Sequence, residues 1–498
     1  RLAINKMKKC IRYSFFVLAV IFAIIGWALS LYNFAFLSIM SLFLNNVIFC
    51  FENLKDRIAL LMFHVTVFVF LLSRPFIEFC TNLSWWNKYV KDYGNAAFDF
   101  ALLALELSLL FLFVGGEIAE NLREKGHIIY EAEKRKKQRE VFLSNLRIIS
   151  EIVFFISMSA YMIGEFEKLW FMRGRSYTEY YTSFASHLPY IIHLVASFMK
   201  YSLCIFLATF PKKKCVVIPL GLYFLSAVPS LLIGMRNPIM LNGIFVFIYF
   251  CIRSAADQKE KWIGKFEKVG LTIAIPVVLI FMGAYSYIRS GTEIAVHGLG
   301  KMFVNFFYGQ GVSFEVLMIG YNCIDQLPQR AFRNYTFGGI VDYFLHGTIA
   351  QKFFGAVPLD NVNSIRNAML SNNFSHNMSY ISKGDKYLAG QGWGSSYLLE
   401  TYVDYGYIGI ILYSFVLALV LVIGIRILKK YCLGGIIILL MLTEVFFAPR
   451  AEATGFLNFI VQMQFWAVIL MCFLGAALCC KKYEVQNKGE KECLNILG

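Results

Sequence analysis

The chain has 498 residues, of which 58% are hydrophobic and 16% charged, with a formal net charge of +15. Soluble domains carry roughly 25% charged residues, so this composition excludes a soluble globular protein. The positive balance reads as membrane orientation, not nucleic-acid binding, because cytoplasmic loops hold the Lys/Arg excess.

Apolar runs long enough to cross a bilayer as helices recur along the chain. The basic start "KMKKCIRYSFFVLAV" resembles a signal peptide, but its apolar region continues to Phe51. That is too long for a cleaved segment, so it reads as two retained spans. Spans are expected near 12–31, 33–51, 58–79, 96–115, 148–168, 188–210, 215–235, 238–252, 269–289, 405–425, 431–448 and 454–480. The expected fold is therefore an all-α polytopic membrane protein of about 12 transmembrane helices.

Charge orients these spans. Alternate connections hold Lys6/Lys8/Lys9/Arg12, Lys55/Arg57, "EKRKKQR" at 133–139, "PKKK" at 211–214, "KEKWIGKFEK" at 259–268, "RILKK" at 426–430 and Lys481/Lys482. The positive-inside rule places these connections, and both termini, in the cytoplasm. Residues 117–147 mix acid and base and read as a solvated cytoplasmic helix. The expected organisation is a membrane domain over 1–289, a large extracytoplasmic loop over 290–404, a second membrane domain over 405–480 and a cytoplasmic tail over 481–498. The loop lies between spans 9 and 10. Its aromatic content argues for short or re-entrant helices packed on the outer mouth of the bundle, not for disorder.

Twelve Cys are scattered without a C-x-x-C, which argues against a disulfide scaffold or a zinc site. Cys80 and Cys323 are a candidate bond outside. Asp99, Glu106, Glu151, Lys200 and Glu444 fall inside spans, where charge is costly. They form either a proton path or pairs within the bundle.

The outer face collects the residues that could carry chemistry. In "GMRNP" (234–238), Arg236 precedes a helix opened by Asn237 and Pro238, and a helix start beside a guanidinium suits phosphate. Arg289 and Arg450 also fall at outer ends of spans, and several such arginines suggest a pyrophosphate clamp. Within 375–409, "SHNMSYI" and "GQGWGSSYLLETYVDYGYIG" offer His376 as a base. Gly390, Gly392 and Gly394 permit close backbone approach, and Ser395 or Ser396 could cap the next helix. Glu400 and Asp404 share one helix face. Tyr380, Tyr387 and Trp393 could stack on sugar rings or anchor the loop. No D-x-D, H-E-x-x-H, P-loop or dinucleotide motif is present. The lack of acids in the first outer connection points to chemistry without metal or cofactor.

Taken in order, "GMRNP", "SHNMSYI" with "GQGWGSSYLLETYVDYGYIG", and "APRAEATG" (448–455) resemble the O-antigen and capsular polysaccharide polymerases called Wzy. The resemblance covers 220–460; the first 200 residues match only as generic spans. It implies a GT-C-like helical fold in the bacterial cytoplasmic (inner) membrane with an extracytoplasmic active site. It implies glycosyl transfer in which a glycan on undecaprenyl pyrophosphate passes as a block to a second lipid-linked repeat unit. On that reading Arg236, Arg289 and Arg450 hold the departing pyrophosphate and His376 activates the acceptor. Asn237, Asn377, Tyr380, Gly392, Gly394, Ser395, Ser396 and Tyr402 surround the substrate, with Glu400 as an orienting residue. The implied partners are the lipid-linked glycan donor and acceptor, the bilayer and a chain-length regulator. The alternatives are an O-antigen ligase-like transferase, which shares a similar His-Asn element, and a twelve-span precursor or secondary transporter.

Overall fold

The computed structural model describes residues 2–122, 133–175, 177–256, 260–265, 267–269 and 299–496. Among these, all regular structure is helical. Helices α1 (Leu2–Ala28) and α2 (Tyr32–Glu52) form an antiparallel hairpin, and α3 (Leu54–Val67) runs through a π-turn at Phe68–Leu72 into α4 (Ser73–Thr81). A short α5 (Trp86–Tyr93) precedes α6 (Asn95–Asn121), α7 (Glu133–Phe171) and a surface turn, α8 (Tyr177–Ser183). Then follow α9 (Tyr190–Ala208), α10 (Lys213–Leu225), α11 (Val228–Leu232) and α12 (Asn237–Ala256).

Twelve helical stretches among the described residues are long and apolar enough to cross a membrane. Their membership differs from the expected set at one place. The span expected at 269–289 lies almost wholly outside the described residues, as do Arg289, His297 and residues 123–132 of the 117–147 stretch. The twelfth stretch is instead Gly300–Asn322, which the sequence assigns to the outer loop. It is two helices, α13 (Leu299–Gln310) and α14 (Ser313–Asn322), broken at Gly311–Val312. Its polar residues explain the ambiguity. Arg74 of α4 pairs with Glu315 at 2.6 Å, and Tyr308 donates to Glu78 at 2.7 Å. These contacts fasten both helices to α4. The π-turn just before it leaves Ser73 to donate to Phe307 O across the gap, at 2.8 Å.

The remaining loop holds α15 (Gly338–His346), α16 (Thr348–Phe354), α17 (Ile365–Leu370), α18 (Phe374–Lys383) and α19 (Asp385–Leu388). The chain ends with α20 (Tyr397–Lys430), α21 (Cys432–Leu442), two 3-10 turns over Val445–Arg450 and Gly455–Val461, and α22 (Met463–Ile496). Helix α20 breaks at Gly406, where φ is 63° and ψ −157°, a conformation open essentially to glycine alone. The segment before the break belongs to the loop, and the segment after it runs the length of the bundle against α6.

Opposite ends of the bundle are chemically distinct. At one end Arg12 pairs with Glu52 and Glu117, Arg426 with Glu120, and Lys429 with Asp56, at 2.6–3.1 Å. The loop sits at the other end, because Glu400 and Lys429 occupy opposite termini of α20. Inside the bundle the carboxyl of Glu106 accepts from Trp27 and Ser38 at 2.6 and 2.5 Å, and Lys200 pairs with Glu444 at 2.6 Å. Cys80 and Cys323 are free thiols.

Candidate functional site

The start of α20 organises the loop. Glu400 is fully buried. One carboxylate oxygen accepts from Ser395 Oγ at 2.6 Å and the other from Ala453 N at 2.7 Å. One turn on, Asp404 accepts from the Tyr335 and Thr336 amides at 2.9 and 2.6 Å and from Thr336 Oγ1 at 2.7 Å. The i, i+4 spacing puts both carboxylates on one face, so a single helix holds two separate loops. Thr454 closes the arrangement by donating to Thr336 O at 2.6 Å.

Two details differ from the sequence expectation. Ser396 occupies the N-cap position, but its hydroxyl makes no cap bond and has no partner among the described residues. Ser395 precedes the N-cap position, and its hydroxyl donates to the buried Glu400 carboxyl. Tyr402 also lies apart from this cluster. Its ring packs on Phe100 and Tyr407, with centroids 4.4 and 4.9 Å away.

The second unit is α18 with the turn before it. Asp342 of α15 accepts from Ser371 Oγ, Asn372 N and Asn372 Nδ2 at 2.7–2.9 Å. Asn373 caps α18 through Ser375 N and donates to Glu452 Oε1 at 2.7 Å. Asn377 is buried at the centre. Its carbonyl oxygen accepts from Tyr335 Oη at 2.7 Å and Arg330 at 3.2 Å, and its NH2 donates to Ala368 O and Ser371 O. The amide is thus spent on shaping the loop. Arg330 and Asp342 carry no motif, and within "APRAEATG" the arginine drew the reading and not Glu452, which is why sequence reading missed them.

His376 projects from the same helix and is half-buried. Its Nδ1 lies 2.8 Å from Tyr387 Oη. That hydroxyl also lies 3.3 Å from Ser364 O, to which it can only donate, and accepts from Ser364 N at 3.4 Å. Every group is satisfied when Nδ1–H donates to Tyr387, which leaves the lone pair on Nε2. Burial holds the imidazole below its ordinary pKa, and nearby Asp342 opposes the shift. Burial likewise raises the Tyr387 hydroxyl to about 12, so it stays protonated. Tyr380 packs edge-on to Tyr387, 6.0 Å between centroids.

The Gly-rich turn wraps this helix. Trp393 N donates to Ser379 Oγ at 2.8 Å, and the Lys383 ammonium sits over the indole at 4.1 Å. Gly392 is exposed beside Ser379, whereas Gly394 lies so close to Arg450 O that a Cβ would stand 2.7 Å away. That approach requires glycine. Arg450 donates to the two oxygens of Gln310 at 3.1 and 3.3 Å.

Beneath the loop lies a cavity of about 460 Å³ between α7, α9, α10, α12 and the turns after α21. Asn237 from "GMRNP" and Glu452 from "APRAEATG" both line it, together with the Lys200–Glu444 pair. Arg236 immediately precedes Asn237 in the turn that opens α12. Glu452 links the cavity to the His376 helix through Asn373. Burial raises the Glu452 carboxyl, Asn458 opposes the shift, and Asp342 and Glu444 add to it. His376 itself does not line this cavity. Lys200 was legible only as a costly intramembrane charge.

Segments far apart in the chain, among them those of Asn237 and Glu452, thus meet around one cavity. A family model for O-antigen polysaccharide polymerase Wzy matches residues 11–483. The chain belongs to that family. Among curated proteins and solved structures there is no match. Wzy proteins join oligosaccharide repeat units that are carried on lipid in the membrane, and this chain is a multi-pass membrane protein of that kind.

Proposed function

We propose that this Wzy protein polymerises undecaprenyl-pyrophosphate-linked repeat units at the outer face of the bacterial cytoplasmic membrane, without metal. The observation that carries the reading is the convergence of Asn237 and Glu452 on one cavity, with α18 docked to it through Asn373. The opposite end of the bundle holds the basic connections, which favours a cytoplasmic position for that end and an outer one for the loop. Both termini are then cytoplasmic.

In the reaction, an acceptor sugar hydroxyl attacks the anomeric carbon of the donor glycan. The bond from that carbon to the diphosphate breaks, and the electron pair leaves with undecaprenyl diphosphate. His376 Nε2 takes the hydroxyl proton, as its neutral tautomer allows. Arg236, Arg289 and Arg450 supply positive charge to the leaving diphosphate, the main electrostatic demand of the step. Holding two lipid-anchored substrates in line contributes the rest.

The test supplies purified protein in vesicles with lipid-pyrophosphate repeat units and EDTA. A ladder of products is expected, and Arg236→Ala should remove it while thermal unfolding stays unchanged. A single addition to a lipid A core acceptor, with no ladder, would favour a ligase. Movement of the intact repeat unit across the vesicle membrane, with no joining, would replace the enzyme reading by a transporter. A ladder that requires divalent metal would remove the metal-free mechanism.

A further inference from the structure

The cavity beneath the loop contains two polar atoms with unused hydrogen-bonding capacity. Tyr223 is 1% exposed, and its hydroxyl has no partner among the described residues. Asn458 donates to Glu452 through Nδ2 at 3.4 Å, but its buried Oδ1 has no partner among the described residues. Both residues line the cavity. Buried polar groups are normally satisfied, so orphans on residues that line a cavity point to a ligand.

The character of these groups selects the ligand. Tyr223 Oη offers a donor, and Asn458 Oδ1 can only accept. The Lys200 ammonium is already paired with Glu444 at 2.6 Å, and Glu452 adds a second carboxyl to the wall. A diphosphate has only acceptor oxygens and negative charge, so it would confront Asn458, Glu444 and Glu452 with no free cation to offset them. A sugar hydroxyl both donates and accepts, and so satisfies each orphan in turn. Phe447 and Phe456 supply apolar walls for the C–H faces of a ring.

We infer that this cavity is a saccharide subsite that takes an uncharged sugar of the repeat unit, with Tyr223 and Asn458 as its specificity-determining contacts, and that the diphosphate stays outside it. The inference rests on the polymerase reading for the identity of the glycan. It separates two tasks: sugar recognition between α10 and the turns after α21, and anion binding at the rim.

Tyr223→Phe is a clean probe, because the hydroxyl makes no bond within the described residues that the change would break. Saturation-transfer NMR on the detergent-solubilised full chain uses the repeat-unit oligosaccharide freed of lipid and phosphate. Wild-type protein is expected to transfer saturation to the sugar ring protons. Tyr223→Phe should weaken binding about five- to tenfold, the worth of one buried hydrogen bond, with unchanged thermal unfolding. In the ladder assay the same variant should raise KM by a similar factor and leave kcat nearly unchanged. Inorganic pyrophosphate should not displace the oligosaccharide. Equal binding by wild type and Tyr223→Phe, no binding to wild type, or displacement by pyrophosphate would each overturn the subsite. Sugar binding that is lost in Tyr223→Phe, from a wild-type protein that makes no ladder, would keep the subsite and remove the polymerase reading.

Discussion

The two ends of the bundle hold many of their carboxyls differently, although ion pairs such as Arg74–Glu315 and Arg366–Asp360 occur at the loop end too. At the basic end, cations meet anions: Arg12 with Glu52 and Glu117, Arg426 with Glu120, Lys429 with Asp56. At the loop end, Glu400, Asp404 and Asp342 are satisfied by hydroxyls and by backbone or side-chain amides. Arg330 there donates to Ser371 O and Asn377 Oδ1, which are neutral oxygens. Charge cancelled by a partner fixes helices together. Carboxyls held by neutral dipoles instead fix loop segments to one another. On the proposed reading, stability belongs to one end and chemistry to the other.

The sharpest way to break it is His376→Ala. The rate of ladder formation should fall about 10²- to 10⁴-fold, the usual worth of a general base, with little change in thermal unfolding. The pH dependence sharpens this. Burial depresses the His376 pKa, so the neutral base is present near pH 7 and is lost as pH falls through a midpoint below the ordinary value of about 6.5. A rate that rises on acidification would reverse the assigned role. The folded state also binds this proton less readily than the unfolded chain, so acidification through the same window costs stability.

Glu400→Ala comes next and should act on stability first. It strands the Ala453 amide and the Ser395 hydroxyl in a buried place, at a cost of about 2–4 kcal/mol. Denaturant unfolding in detergent measures it, and Glu400→Gln should recover about half, because one acceptor oxygen remains. Tyr387→Phe is smaller. It removes the acceptor that holds Nδ1–H, so kcat should fall about tenfold and KM should hold. An equal loss in Tyr387→Phe and His376→Ala would mean that the tyrosine does more than orient. The smallest effect belongs to the basic end. Lys429→Met removes a partly exposed ion pair with Asp56 and should cost under about 1 kcal/mol, with no change in rate. A large rate loss there would collapse the contrast between the two ends.

Hydropathy, charge alternation and three short motifs were enough to read the fold class, the number of spans and the polymerase family from the chain itself. They worked because membrane insertion depends on local sequence: about 20 apolar residues span, and flanking cations orient. The same reasoning placed Gly300–Asn322 in the outer loop, whereas it is long and apolar enough to cross a membrane as a segment broken at Gly311–Val312. It also expected Ser395 or Ser396 to cap α20, but Ser396 at the N-cap makes no cap bond and Ser395 lies one residue before it, bonded to Glu400.

What the chain alone determined, then, is that apolar segments long enough to cross a membrane recur along it and which residue types flank them. Only the tertiary structure decided which of those residues touch. Asn377 became a loop-building amide, Tyr387 became the partner that sets the His376 tautomer, and Lys200, Tyr223 and Asn458 from three separate segments came to share one cavity. Hydrogen bonds between residues tens or hundreds of positions apart leave no period or spacing in the sequence. They exist only once packing has brought the helices and loops together.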